Sequence, residues 1–334
     1  MKMEMEDVDM QGLLQDIKSK TYGSVYLLWG EEVYLRKQYR DRLREALSED
    51  GDTMNTHYYE GKNIPMGEVI DLAQTMPFFA ERRVIIVENS GWLQKGGEQI
   101  ATYLPQMPDS TVLVFVEAQI DKRSKLYKAI KAKGRITEFT TQDEQTLKKW
   151  ILGMLKKEGK KITDSDLQYI LEKTGTEMSQ IKMELEKLLC YVMNKEIITR
   201  EDIDAICVKR IQNQIFEMIN AVASGEQKKA LQLYYDLLTL KEPPMRILAL
   251  IGRQFNLLLQ VKELTKKGYS TKTISEKTGL HSFIVGKYVK QAEGFKTKKL
   301  RQALEDCVKT DEQVKTGQMQ DIMSVELLIV KYSG

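Results

Sequence analysis

The sequence predicts a mixed α/β domain followed by an all-helical remainder, and three observations carry that prediction. Pro65, Pro77, Pro105 and Pro108 precede residue 110, and only Pro243-Pro244 follow them. Short β-branched runs alternate with helix-like segments through roughly the first 140 residues. From Asp143 onward the apolar residues recur at helical spacing.

Residues 24–29 form an apolar run ended by Gly30, the pattern of a buried parallel strand. Residues 31–47 read as the helix that follows, with Tyr34, Leu35, Leu43 and Leu47 on its apolar face. Residues 83–87 and 111–116 are two more β-branched strands, with a helix over 97–104 between them. A basic helix over 124–133 is closed by Gly134, and 135–139 makes one further short strand. Strand–helix alternation of this kind implies a parallel sheet with helices on its faces.

Helices over 143–158, 164–173, 178–193 and 199–206 then predict a small helical unit; Thr199 and Asp202 resemble a capping box. A third region begins near Ile211, with helices over 211–225 and 227–240. The segment 245–264 is apolar around most of its circumference, as in a bundle core or an assembly interface. Residues 274–278, Gly279-Leu280 and 283–293 read as helix, turn, helix, and helices over 298–316 and 324–332 finish the bundle. The expected domains are 1–140, 141–210 and 211–334.

Composition narrows the function. At 334 residues the chain exceeds one ordinary core. With 30% charged and 42% hydrophobic residues it reads as a soluble globular protein. No apolar run approaches the roughly 18 residues of a membrane span. Residues 1–9 alternate acid and methionine, without the apolar core of a secretory signal. Cys190, Cys207 and Cys307 have no CxxC spacing and no nearby histidine, so reduced, half-buried thiols of a cytoplasmic protein are expected rather than zinc or catalytic sites. Only His57 and His281 are present, which weakens acid–base and metal chemistry. The net charge of +3, from 51 basic and 48 acidic residues, does not by itself mark a nucleic-acid binder.

This order of domains suggests an ATPase, so the phosphate loop is the test. Such a loop needs GxxxxGK[ST] after the first strand, its glycines baring backbone N–H groups to phosphate. Here the chain reads Trp29-Gly30-Glu31-Glu32-Val33-Tyr34-Leu35-Arg36, with one glycine and two carboxylates where polyphosphate would sit. Nucleotide binding is not expected there, nor is any other cofactor or metal. Glu88 and Glu117, each just after a strand, are candidate acids, but without a companion base they read as solvated or helix-capping carboxylates.

Several segments, in order, carry a resemblance along nearly the whole chain. They are Val25-Tyr-Leu-Leu-Trp-Gly-Glu-Glu32, Gln74-Thr-Met-Pro-Phe-Phe-Ala-Glu-Arg-Arg83 and Asp121-Lys-Arg-Ser-Lys-Leu-Tyr127. Gly175 with Glu184-Leu-Glu-Lys-Leu188 follows, then Asp311 with Lys315-Thr-Gly317 before Glu326. The chain resembles the delta subunit family of bacterial DNA polymerase III. The resemblance implies an AAA+-like sheet domain, a small helical lid domain and a C-terminal helical collar. It implies a non-ATPase component of the DNA polymerase III holoenzyme, under the family label DNA-directed DNA polymerase, with no independent catalytic activity. The implied partners are the sliding clamp (beta subunit), the ATPase and delta-prime subunits through the collar, and primer-template DNA within the complex, with no membrane. Met178-Ser179-Gln180 stands where ATP-binding relatives carry a sensor arginine, and no Ser-Arg-Cys finger occurs around Gly134-Arg135-Ile136.

Met76-Pro77-Phe78-Phe79 is the segment of most interest. The helix before it, over 66–75, directs Val69, Ile70 and Ala73 inward, and Pro77 disfavours its continuation. The two phenylalanines either plug the core beneath the next strand or form an exposed apolar wedge for a partner's pocket. In the family the matching hydrophobic pair enters a pocket on the clamp, which favours the wedge; the Phe-Phe pair departs from the family's more usual aliphatic–aromatic mixture. Lys287, Lys290, Lys296, Lys298, Lys299 and Arg301 either face DNA or form a solvated helix surface. The rival readings are a degenerate nucleotide-binding enzyme and a DNA-binding regulator using 274–293 as a helix-turn-helix, although that stretch offers only Gln291, late in its second helix, beside its lysines.

Overall fold

The computed structural model describes residues 2–49, 51–207, 211–280 and 282–334; His281 lies outside them. Two compact units make up the chain, Met1–Gln142 and Asp143–Gly334.

The first unit is built on five strands: β1 (Val25–Trp29), β2 (Thr56–Glu60), β3 (Arg83–Glu88), β4 (Thr111–Glu117) and β5 (Arg135–Glu138). All pairings are parallel, in the order β2-β3-β4-β1-β5, with Leu27 opposite Phe115 and Ile85 opposite Leu113. The helices are α1 (Lys2–Ser19), α2 (Val33–Leu47), α3 (Met66–Gln74), α4 (Glu98–Tyr103) and α5 (Lys125–Lys133). Val69 and Ala73 of α3, Ile100 of α4, and Leu126 and Ile130 of α5 pack on Val25, Leu27, Ile85, Val87, Leu113 and Phe115. The alternate strand residues Tyr26, Leu28, Val84, Ile86, Val112 and Val114 are buried as well. Side chains alternate across a strand, so burial of both sets means both faces are covered, which is why these strands read as continuous apolar runs. Helix α2 lies against β1 and β4, and α1 against β5.

Two elements escape the sequence pattern. The edge strand β2, Thr-His-Tyr-Tyr-Glu, has no apolar run and pairs only with β3. Helix α1 covers the stretch in which the pattern held only acid and methionine. Its Asp16 accepts from Arg135 Nε at 2.6 Å and Nη2 at 2.8 Å, pinning it to β5.

The second unit is helical: α6 (Glu144–Lys157), α7 (Asp164–Thr174), α8 (Met178–Tyr191), α9 (Arg200–Ile206), α10 (Ile211–Ala223), α11 (Gln227–Thr239), α12 (Pro244–Lys266), α13 (Thr271–Thr278), α14 (Ser282–Glu293), α15 (Thr297–Lys315) and α16 (Asp321–Ser333). Ile247, Leu248, Ile251, Phe255 and Leu258 of α12 form the centre of a core completed by α10, α11, α15 and α16. At the other end of α12, Val261 packs with Ile274 and Val285, seating α13 and α14. Asp202 accepts the Thr199 backbone N–H at 3.0 Å, the reciprocal half of the capping box. The expectation of half-buried thiols needs correction: Cys190 is exposed, while Cys207 and Cys307 are buried in helical packing. Among the described residues no helix is long and apolar enough to cross a membrane.

Candidate functional site

At the carboxyl end of β1 the chain turns sharply through Gly30, whose φ is +129°. A Cβ there would lie 2.2 Å from the Phe139 carbonyl oxygen, so only glycine permits this approach. Phe139 O accepts the Glu32 N–H at 3.0 Å, and the Glu32 carboxylate accepts the Tyr34 N–H at 3.1 Å. Helix N-termini attract anions, and in this fold that position would meet phosphate. Here the chain's own carboxylate caps the helix instead.

Behind this cap lies a buried charge cluster that corrects the expectation of solvated or capping acids at Glu88 and Glu117. Both are buried, as is Arg36 on α2. Glu88 is ion-paired with Arg40 and accepts the Tyr58 hydroxyl at 2.6 Å. Glu117 accepts the Ser90 hydroxyl at 2.5 Å and the Gly91 N–H at 3.1 Å. Burial nevertheless pushes the Glu117 carboxyl above its ordinary range. Arg40 stands on α2, remote in sequence from the strand end it pairs with, so no local pattern announces the pairing.

The segment after α3 is of another kind. Helix α3 ends at Gln74 with Thr75 as its C-cap, and the chain then runs out to solvent. Met76 is 74%, Phe78 57% and Phe79 96% exposed, and the two rings meet edge-to-face with centroids 4.6 Å apart. The phenylalanines therefore do not plug the core. Phe79 has φ +50°, a left-handed conformation costly for a residue with a bulky side chain. Met54, also exposed, lines a cavity together with Phe78 and Phe79.

Beneath this surface the backbone is tied down by buried side chains. Arg83, the first residue of β3, donates to Met76 O at 2.8 Å, Thr75 O at 3.2 Å and Met54 O at 3.3 Å. Asn55 donates from Nδ2 to Phe78 O at 3.0 Å and accepts the Phe78 N–H on Oδ1 at 2.6 Å. Sequence reasoning passed over Met54, Asn55 and the role of Arg83, because β2 and the turn before it carry no apolar signal.

The six basic residues singled out from the sequence, Lys287, Lys290, Lys296, Lys298, Lys299 and Arg301, are exposed, and two of them are ion-paired. Lys287 is 3.0 Å from Glu172, and Arg301 is 2.7 Å from Glu263. Lys299 lies over the Tyr332 ring at 6.0 Å, and Lys290, Lys296 and Lys298 project to solvent. The helix-turn-helix reading loses its one base-reading amide. Gln291 is buried, donating to Phe216 O at 2.8 Å and accepting from Gln254 at 2.6 Å.

A five-stranded parallel sheet covered on both faces, followed by a helical unit, defines an AAA+-like module, here with its phosphate loop replaced by a carboxylate-capped turn. Family models for the DNA polymerase III delta subunit and for its C-terminal domain match residues 26–140 and 212–332. The chain is 29% identical to DNA polymerase III subunit delta of Bacillus subtilis (strain 168), over 95% of both chains. It is 24% identical to the probable DNA polymerase III subunit delta of Aquifex aeolicus (strain VF5), over 77% of this chain and 75% of that one. The solved structure of the Bacillus subtilis DNA clamp loader delta protein superposes with a TM-score of 0.75 at 27% identity, covering 96% of this chain and 98% of that one. The chain belongs to the DNA polymerase III delta subunit family.

Proposed function

We propose that this chain is the delta subunit of a DNA polymerase III clamp loader and binds the sliding clamp through Met76, Pro77, Phe78 and Phe79. The observation that carries the reading is the exposure of both phenylalanines on a hydrogen-bonded base. Burying two aromatic side chains in a partner's pocket is worth on the order of several kcal/mol before association costs. Among the described residues neither ring is buried in the core, so a partner is the natural recipient.

Clamp opening follows from differential binding. A wedge that fits the clamp better when the nearby ring interface is sprung favours the open ring by that difference alone. About 1.4 kcal/mol of preference shifts the balance tenfold. No hydrolysis by this subunit is needed, and the carboxylate at the head of α2 opposes nucleotide there. ATP on neighbouring subunits would decide when the wedge meets the clamp.

The remaining assignments belong to the same reading. Residues 141–210 serve as the lid and 211–334 as the collar that joins the ATPase and delta-prime subunits. Tyr235 and Leu240 near one helix and Ile322, Met323 and Leu327 near its packed neighbour are exposed apolar residues suited to such a joint. Lys290, Lys296 and Lys298 are the free cations among the six residues proposed to face primer-template DNA; Lys287, Lys299 and Arg301 are the others. The test is capture of purified sliding clamp by the full chain and by Phe78→Ala/Phe79→Ala. The reading predicts strong capture by the first and little by the second. Equal capture by a folded double variant overturns it.

A further inference from the structure

Exposed aromatic side chains on an irregular loop ordinarily pay for ordering when they bind. Here the loop carrying Phe78 is already fixed, and one buried side chain, Asn55, holds both backbone polar groups of Phe78. We infer that Asn55 is a positioning residue for clamp binding, pre-organising the Phe78-Phe79 wedge; the inference rests on the proposed clamp-binding role.

The Asn55 amide is saturated in one orientation only. Its Oδ1 accepts the Phe78 N–H at 2.6 Å, and its Nδ2 donates both to Phe78 O at 3.0 Å and to Asp52 Oδ2 at 2.9 Å. Reversing oxygen and nitrogen would set donor against donor at Phe78 N and oxygen against oxygen at the other two contacts. The Phe78 backbone thus sets the sense of the amide, and Asp52 reinforces it. Asp52 is itself held in a turn, its Oδ1 accepting the backbone N–H of Met54 at 3.0 Å and of Asn55 at 2.9 Å. Asn55 is also anchored through its own backbone, where its carbonyl accepts the Val84 N–H at 2.8 Å.

The consequence falls on the next residue. With both backbone polar groups of Phe78 engaged, the chain enters Phe79 on a fixed course, and Phe79 takes φ +50° with almost no side-chain burial to compensate. A conformation that disfavoured persists only where neighbours over-determine it. Asn55 on one side and Arg83, bonded to Thr75 O and Met76 O, on the other are those neighbours. Without the Asn55 amide the phenylalanine pair samples several directions, and the clamp must select one.

The experiment measures the affinity of the full chain for purified sliding clamp, well below the melting temperature, in a thermodynamic cycle. Asn55→Ala is expected to weaken binding roughly tenfold and to speed hydrogen exchange at the Phe78 amide. In the Phe78→Ala/Phe79→Ala background the same change is expected to cost no further affinity, the mark of coupled groups. Asp52→Ala, which keeps the amide and its Phe78 contacts but removes its third bond and the turn that seats it, is expected to lose about threefold, and it carries the test if Asn55→Ala does not fold. Faster exchange at Phe78 with unchanged clamp affinity overturns the inference, as does full affinity in a folded Asp52→Ala. Unchanged affinity in Phe78→Ala/Phe79→Ala instead overturns the wedge itself.

Discussion

The carboxylate of Glu32 accepts the backbone N–H of Tyr34 at 3.1 Å, placing a fixed negative charge at the start of α2. Polyphosphate approaching that helix end would meet like charge and a turn closed by Phe139. Magnesium and ATP should therefore leave the melting temperature of the free chain unchanged. A ligand at about 100 times its Kd would add roughly 2.7 kcal/mol, so a rise of several degrees by calorimetry would reveal a site this geometry forbids.

The buried cluster behind Glu32 predicts a stability effect. Glu88→Ala takes from Arg40 its buried counter-ion, leaving the more exposed Asp41, and from Tyr58 its closer acceptor, leaving Glu60 at 3.4 Å. Losing one partner of such a pair costs about 3 kcal/mol. Urea unfolding of the variant measures this directly, and a loss below about 1 kcal/mol would show the pair to be energetically open to solvent.

Phe79 predicts the opposite balance between stability and function. Its side chain is almost wholly exposed, so Phe79→Gly removes little packing and relieves the left-handed strain. The variant should be as stable as the parent, or more stable by up to about 1 kcal/mol, yet bind the clamp more weakly. Thermal melts and clamp titration on one preparation would check both halves; a destabilised variant contradicts the strain assignment.

In the helical unit Asp306 predicts a pH dependence. Burial alone would raise its pKa, but hydrogen bonds from Lys331, Tyr332 and Gln302 outweigh burial and hold the carboxyl below its ordinary value. A depressed folded pKa gives stability that is fully present above the unfolded value, about 3.9, and is lost as pH falls through the folded one. Asp306→Asn should cost about 2 kcal/mol at neutral pH, with the gap to the parent narrowing only below about pH 4. Urea melts between pH 7 and pH 3 would follow it, and a gap independent of pH would contradict the assignment.

The reach of sequence reasoning follows physical lines. β1, β3 and β4 were legible because burial on both faces demands continuous apolar runs. β2 was not, because an edge strand with half-exposed Tyr59 and paired Tyr58 needs no such run. The degenerate loop at Gly30 was legible as an absence, but the burial of Glu88 and Glu117 depends on Arg40 and Ser90, which only the fold brings near. The helix end before Pro77 was readable from local stereochemistry. Whether Phe78 points in or out turns on Asn55, 23 residues away, and no local rule reports that contact. Gln291 shows the converse, a polar residue in a helix-turn-helix pattern that tertiary packing draws into the bundle.

The central claim is that the wedge prefers a sprung clamp. Its most direct test compares the affinity of the chain for the closed ring with that for a clamp whose ring interface has been disabled by mutation. The account predicts tighter binding to the disabled clamp and loss of that preference in Phe78→Ala/Phe79→Ala. Equal affinity of the unaltered chain for the two forms would contradict it.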